Sequence, residues 1–103
     1  MIKMKKEQII ETMQQSEIKS YLKQQGISKI SLFGSYATDQ AKKNSDIDFL
    51  FEEKKGNILS LFQLAQVIWF LKTLFKKNVD MVEKKYLDVK IRKSILAHKI
   101  DII

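Results

Sequence analysis

The chain has 103 residues, enough for one domain over residues 1–103 with 1–25 as an N-terminal helical segment. Hydrophobic residues make up 45% and charged residues 30%, the balance of a folded domain rather than a disordered one, and the absence of cysteine with a single histidine, His98, excludes disulfides, thiolate metal sites, cysteine catalysis and histidine metal cages. Nineteen Lys+Arg against twelve Asp+Glu give a net charge of +7, which favours an acidic partner (nucleotide, nucleic acid or acidic protein) or simply a solvated lysine surface.

In chain order, Ile9, Ile10 and Met13 predict a helix over residues 3–15. Ser16 suits the N-cap of a second helix ending at residue 25, and Gly26 its C-terminal stop. Alternation over 28–33 predicts a strand, with Ile30 and Leu32 on one face. Gly34-Ser35 breaks it, and 36–42 suits a short helix. Residues 46–52 predict a second strand. Gly56-Asn57 makes a turn, with Asn57 a candidate cap, before a long helix over 58–77. A third strand follows at 79–82 and a last helix at 88–97. Residues 100–103 suit either a short edge strand or a tail. The fold class is α/β, a short mixed sheet flanked by helices. The stretch 58–75 is the most apolar, but Gln63, Gln66 and Lys72 interrupt it, so a buried helix is expected rather than a membrane span. The charged N-terminus lacks a signal-peptide core, and a cytoplasmic location is expected.

Asp46 and Asp48 stand two apart at the start of the second strand, which sends both carboxylates to one face, while Ile47, Phe49 and Phe51 face the core. Adjacent ionised carboxylates raise one another's pKa, and a divalent cation reverses that penalty. Ten residues separate Gly34-Ser35 from Asp46, so the first two strands pair antiparallel with a wide connection. The long helix makes the second and third strands parallel, so their starts share one sheet edge. Asp80 lies at the start of the third strand, with the parity needed to face Asp46 and Asp48. Three carboxylates beside a Gly-Ser turn suit phosphoryl chemistry. Hard oxygens select magnesium or manganese, and two ions about 3.5–4 Å apart clamp an in-line displacement. The Gly34 backbone can approach a phosphate closely, and the amides of Ser35 and Tyr36 can donate to it.

The blocks Ser31-Leu32-Phe33-Gly34-Ser35-Tyr36-Ala37 and Ser45-Asp46-Ile47-Asp48-Phe49-Leu50-Phe51, with the distal Asp80, resemble the signature of the minimal nucleotidyltransferases in the DNA polymerase beta superfamily. The resemblance runs from about residue 26 to the end. It implies the small polymerase-beta-like fold. It implies two magnesium ions (or manganese) held by Asp46, Asp48 and Asp80, with Asp80 also helping to deprotonate the acceptor. Gly34 and Ser35 would hold the triphosphate of ATP. Chains of this size are similar to the MntA-type antitoxins paired with HEPN-domain ribonuclease toxins, some of which transfer AMP to a toxin tyrosine. The resemblance therefore implies a HEPN partner and a protein adenylyltransferase. The alternative is a weak or inactive antitoxin that neutralises by contact. The sequence departs from the family where arginine and glycine often follow Gly-Ser-Tyr-Ala: here stand Thr38 and Asp39. Asp39 adds negative charge near the expected phosphates, and the lost arginine removes a transition-state cation. Lys42 and Lys43 are substitutes unless they simply face solvent.

The long helix carries more apolar surface than one buried stripe uses, from Leu61 and Phe62 through Trp69 to Phe75. Either the first two helices cover the rest, or it is a partner surface in a homo- or hetero-oligomer. His98 suits the dipole at a helix end. Tyr36 suits packing beside the turn better than base stacking or modification. Basic and aromatic residues do not interleave, so direct nucleic-acid binding is not expected.

Overall fold

A computed structural model describes residues 4–103, so Lys3, the first residue of the expected N-terminal helix, lies outside it together with Met1 and Ile2. Helices α1 (Lys6–Met13) and α2 (Ser16–Gln24) bury Ile9 and Met13, and Ile18 and Leu22. Each pair is four apart, so each helix presents one apolar stripe to the core. Ser16 is not an N-cap. Only Gln15 adopts extended backbone between the helices, so it takes the cap position and Ser16 becomes the first helical residue, with no side-chain cap bond. Glu17 in the first turn complements the helix dipole instead. Gly26 ends α2 as expected: its φ of 93° is left-handed and its amide donates to the Lys23 carbonyl at 3.0 Å.

Four strands follow: β1 (Ile27–Phe33), β2 (Ile47–Glu53), β3 (Val79–Glu83) and β4 (Ile100–Asp101), in the spatial order β3-β2-β1-β4. β1 and β2 pair antiparallel, and β2 and β3 pair parallel across α3 (Leu61–Phe75), the topology the spacing predicts. A 3-10 turn (Lys84–Tyr86) leads into α4 (Val89–His98), where Asp88 caps the N-terminus by accepting from the Lys90 amide at 2.9 Å. The open question over residues 100–103 resolves as an edge strand: β4 pairs antiparallel with β1, and the Ser31 hydroxyl donates to Asp101 Oδ1 at 2.7 Å.

Two expected helices differ. Residues 34–39 form successive turns and 40–42 are irregular, so no helix forms over 36–42. Asp39 sits at φ 60°, a left-handed conformation that a helix of L-residues cannot propagate. The long helix is shorter than 58–77, because Asn57 closes a turn through its amide to the Lys54 carbonyl at 2.9 Å. The cap is Ser60 in a reciprocal box: Gln63 N donates to Ser60 Oγ at 3.1 Å, and Ser60 N to Gln63 Oε1 at 3.0 Å. At the other end Lys76, at φ 54°, terminates it. Val67, Leu71 and Phe75 of α3 pack with Ile47, Phe49 and Val79 of the sheet, and the Phe49 and Phe75 rings lie 6.3 Å apart. Each such side chain contributes about 1.5–3 kcal/mol by burial. Among the described residues no helix is long and apolar enough to cross a membrane.

Candidate active site

The sheet register brings the end of β1 and the starts of β2 and β3 together. Phe33 pairs with Asp48, Asp48 pairs with Asp80, and the Ile47 amide donates to the Asn78 carbonyl at 3.0 Å. In-register neighbours of parallel strands share a face, so Asp48 and Asp80 stand side by side. Gly34 follows Phe33 directly. Its φ of 76° favours glycine, and a Cβ there would overlap Asp48 Oδ2 and come within 3.2 Å of Asp48 Cγ. The turn is closed behind it, as Ala37 N and Thr38 N donate to the Gly34 carbonyl at 3.1 and 3.3 Å and Gln40 N to the Ser35 carbonyl at 2.8 Å. The amides of Ser35 and Tyr36 enter no backbone hydrogen bond among the described residues. They are the donors an anion would need.

Asp46 stands differently from its expected place. β2 opens at Ile47, so Asp46 precedes the strand, is exposed, and owes its position to the approach loop rather than to the strand pleat. The three acids remain electrostatically coupled. Burial, then the Asp80 carboxylate, then that of Asp46 push Asp48 from 3.8 up to about 6. Among the described residues none of the three forms an ion pair. Nor are three His, Cys, Asp or Glu side chains already gathered for a metal ion. The donor set nevertheless fits magnesium or manganese: hard oxygens, uncompensated negative charge, and one carboxyl driven towards its neutral form by burial and by its acidic neighbours.

Beside Asp46 opens a cavity of about 470 Å³, with Ser45, Asp46, Trp69, Lys72, Lys76 and Lys77 in its lining. Lys72 lies in the last turn of α3, Lys76 is its cap and Lys77 follows, with Lys77 Nζ donating to the Lys43 carbonyl at 2.7 Å. Sequence reasoning missed this group, counting Lys72 only as an interruption of an apolar run. The available signal was helical spacing: Trp69, Lys72 and Lys76 share a face that ends just before Asn78-Val79-Asp80. Lys42 and Lys43 have exposed side chains, the solvent-facing alternative, and the lysines that line the cavity with Asp46 are Lys72, Lys76 and Lys77.

At the departures from the family pattern, the Thr38 hydroxyl lies 3.3 Å from the Gly34 carbonyl, and Asp39 pairs with Lys6 Nζ of α1 at 2.8 Å. The Asp39 charge is thereby offset locally. Tyr36 is buried beside the turn, and its hydroxyl has no partner among the described residues. His98 is exposed in the last turn of α4, with Nδ1 2.9 Å from the Ser94 carbonyl.

Comparison with known proteins agrees with this fold. The family model described as "Nucleotidyltransferase domain" matches residues 15–102. The protein adenylyltransferase MntA of Thermococcus cleftensis is 38% identical over 73 residues, spanning 69% of this chain and 70% of that protein. A solved structure described as a minimal nucleotidyltransferase superposes with a TM-score of 0.75 at 26% identity, covering 94% of this chain and 95% of that one. In fold alone, the chain is also similar to one from the complex of tri-AMPylated Shewanella oneidensis HEPN toxin with its MNT antitoxin, at a TM-score of 0.62 and 17% identity, covering 89% and 71%.

Proposed function

Because this chain belongs to the nucleotidyltransferase domain family, with adenylyltransferases among its relatives, we propose that it transfers AMP from ATP to a hydroxyl of a partner HEPN-domain toxin, a tyrosine, and so acts as an antitoxin. The observation that carries this reading is the in-register pair of Asp48 and Asp80, coupled to Asp46, without cation partners among the described residues and touching the backbone of Gly34. Asp46, Asp48 and Asp80 would hold two magnesium ions or manganese, which when bound supply Lewis-acid charge for an in-line displacement. The free amides of Ser35 and Tyr36 hold the triphosphate, and Gly34 lets the backbone come close. The acceptor oxygen bonds to the α-phosphorus, the bond from the α-phosphorus to the bridging oxygen breaks, and pyrophosphate leaves. Asp80 takes the acceptor's proton. Lys72, Lys76 and Lys77 bring positive charge to the side of the site beside Asp46.

The replacement of that arginine and glycine by Thr38 and Asp39 favours a second reading, neutralisation by binding with little or no transfer. The test is the purified chain with the HEPN toxin, magnesium and ATP. A toxin modified by wild type and left unmodified by Asp46→Asn supports transfer. A toxin silenced equally by an Asp46/Asp48 double variant supports neutralisation by contact.

A further inference from the structure

α3 carries a stripe that the core does not use. Phe62, Gln66, Trp69 and Thr73 recur at helical spacing, and with Tyr21 and Phe70 they line an open groove of about 630 Å³ between α2 and α3. Phe62 is 72% exposed and Trp69 is 68% exposed, with Leu61 at 86% beside them. The first two helices therefore leave this face open, and surface this apolar marks association. Two observations say with what. Trp69 and Thr73 line both this groove and the Asp46 cavity, so the stripe continues into the cavity beside Asp46. The stripe ends on Lys72, Lys76 and Lys77, whereas α3 itself contains no Asp or Glu.

Resting on the proposed transferase function, we infer that this groove is the docking surface for the acceptor protein, which lays an apolar helix along Phe62 and Trp69 and meets the three lysines with carboxylates. That placement delivers a hydroxyl beside Asp46 by continuity of one surface. A second copy fits less well. Two chains of net charge +7 repel, and the face offers no carboxylate except Asp46 to answer the lysines.

Trp69 is the chain's single tryptophan, so it reports on its own groove. The test labels the full chain with 5-fluorotryptophan and titrates the HEPN toxin, in wild type and in Phe62→Glu. Phe62 lies outside the catalytic machinery and is exposed, so the variant folds. A shifted Trp69 fluorine resonance is expected, with toxin binding weakened at least about tenfold in Phe62→Glu, restored by Phe62→Leu, and magnesium-ATP binding unchanged. Toxin that binds and gains AMP while the resonance stays still, or that binds Phe62→Glu as tightly as wild type, overturns the surface and leaves the transferase reading standing. A resonance that moves with the chain's own concentration assigns the groove to a second copy and overturns the inference. Wild type that neither binds nor modifies the toxin overturns the proposed function and this partner with it.

Discussion

The two ends of the β2–β3 pair are both acidic and are handled in opposite ways. At their C-terminal ends, Lys85 Nζ sits 3.2 Å from Glu53 and 3.1 Å from Glu83, and Lys84 lies 3.8 Å from Glu52. Glu53 and Glu83 also hydrogen-bond to each other, which holds Glu53 below the usual carboxylate range, while burial and then that bond push Glu83 above it. Lys84 and Lys85 thus answer the charge from within the fold. At their N-terminal ends, Asp46, Asp48 and Asp80 have no ion-pair partner among the described residues, and Asp48 is pushed up to about 6. Acid clusters that serve structure carry their own cations. One left uncompensated is set for a charge from outside.

The contrast breaks most visibly in catalysis. Asp48→Asn or Asp80→Asn should lower AMP transfer by a factor of about 100–1,000 or more in a single-turnover assay, without loss of helix content by circular dichroism. Next in size, Gly34→Ala should cost about 2 kcal/mol in urea unfolding, since the left-handed φ strains an L-residue and the methyl overlaps the Asp48 carboxylate. It should also depress transfer, because relief of that overlap moves Asp48.

A smaller effect concerns pH. Asp48 has a folded-state pKa of about 6 against an ordinary 3.8, so the folded chain binds more protons than the unfolded one between these values. The contribution of this group to stability is therefore present below about pH 4 and is lost as pH rises through 6. Partial exposure screens the effect to about 1 kcal/mol at pH 7. Asp48→Asn should raise the melting temperature at pH 7 and leave it unchanged at pH 4. Magnesium should stabilise wild type at pH 7 but act much less on the variant. The smallest effect lies at the compensated end. Lys85→Met should lower the melting temperature modestly, since the lysine is half exposed while the Glu53 and Glu83 carboxylates it answers are largely buried, and leave transfer within about twofold of wild type.

The fold was legible where periodicity and topology agree. Alternation in β1, the DxD block on an apolar strand, and the α3 crossover place Gly34, Asp48 and Asp80 on one edge without coordinates. Boundaries were harder. The Ser60–Gln63 box is a readable motif that Gly56-Asn57 outshone, and residues 36–42 carry helix-compatible residues although Asp39 turns left-handed beside its ion pair with Lys6. That pair joins positions 33 apart, a distance no local pattern encodes. The lysine cavity is hidden for the same reason: it exists only once the end of α3 is folded back against the loop before β2.

The central claim, that the uncompensated edge performs transfer, is tested most directly by mixing the chain with the HEPN toxin, ATP and magnesium and weighing the toxin by intact-mass spectrometry. A gain of one or more AMP units, absent with Asp48→Asn, is the predicted result. A toxin silenced at unchanged mass, by wild type and Asp48→Asn alike, would contradict it.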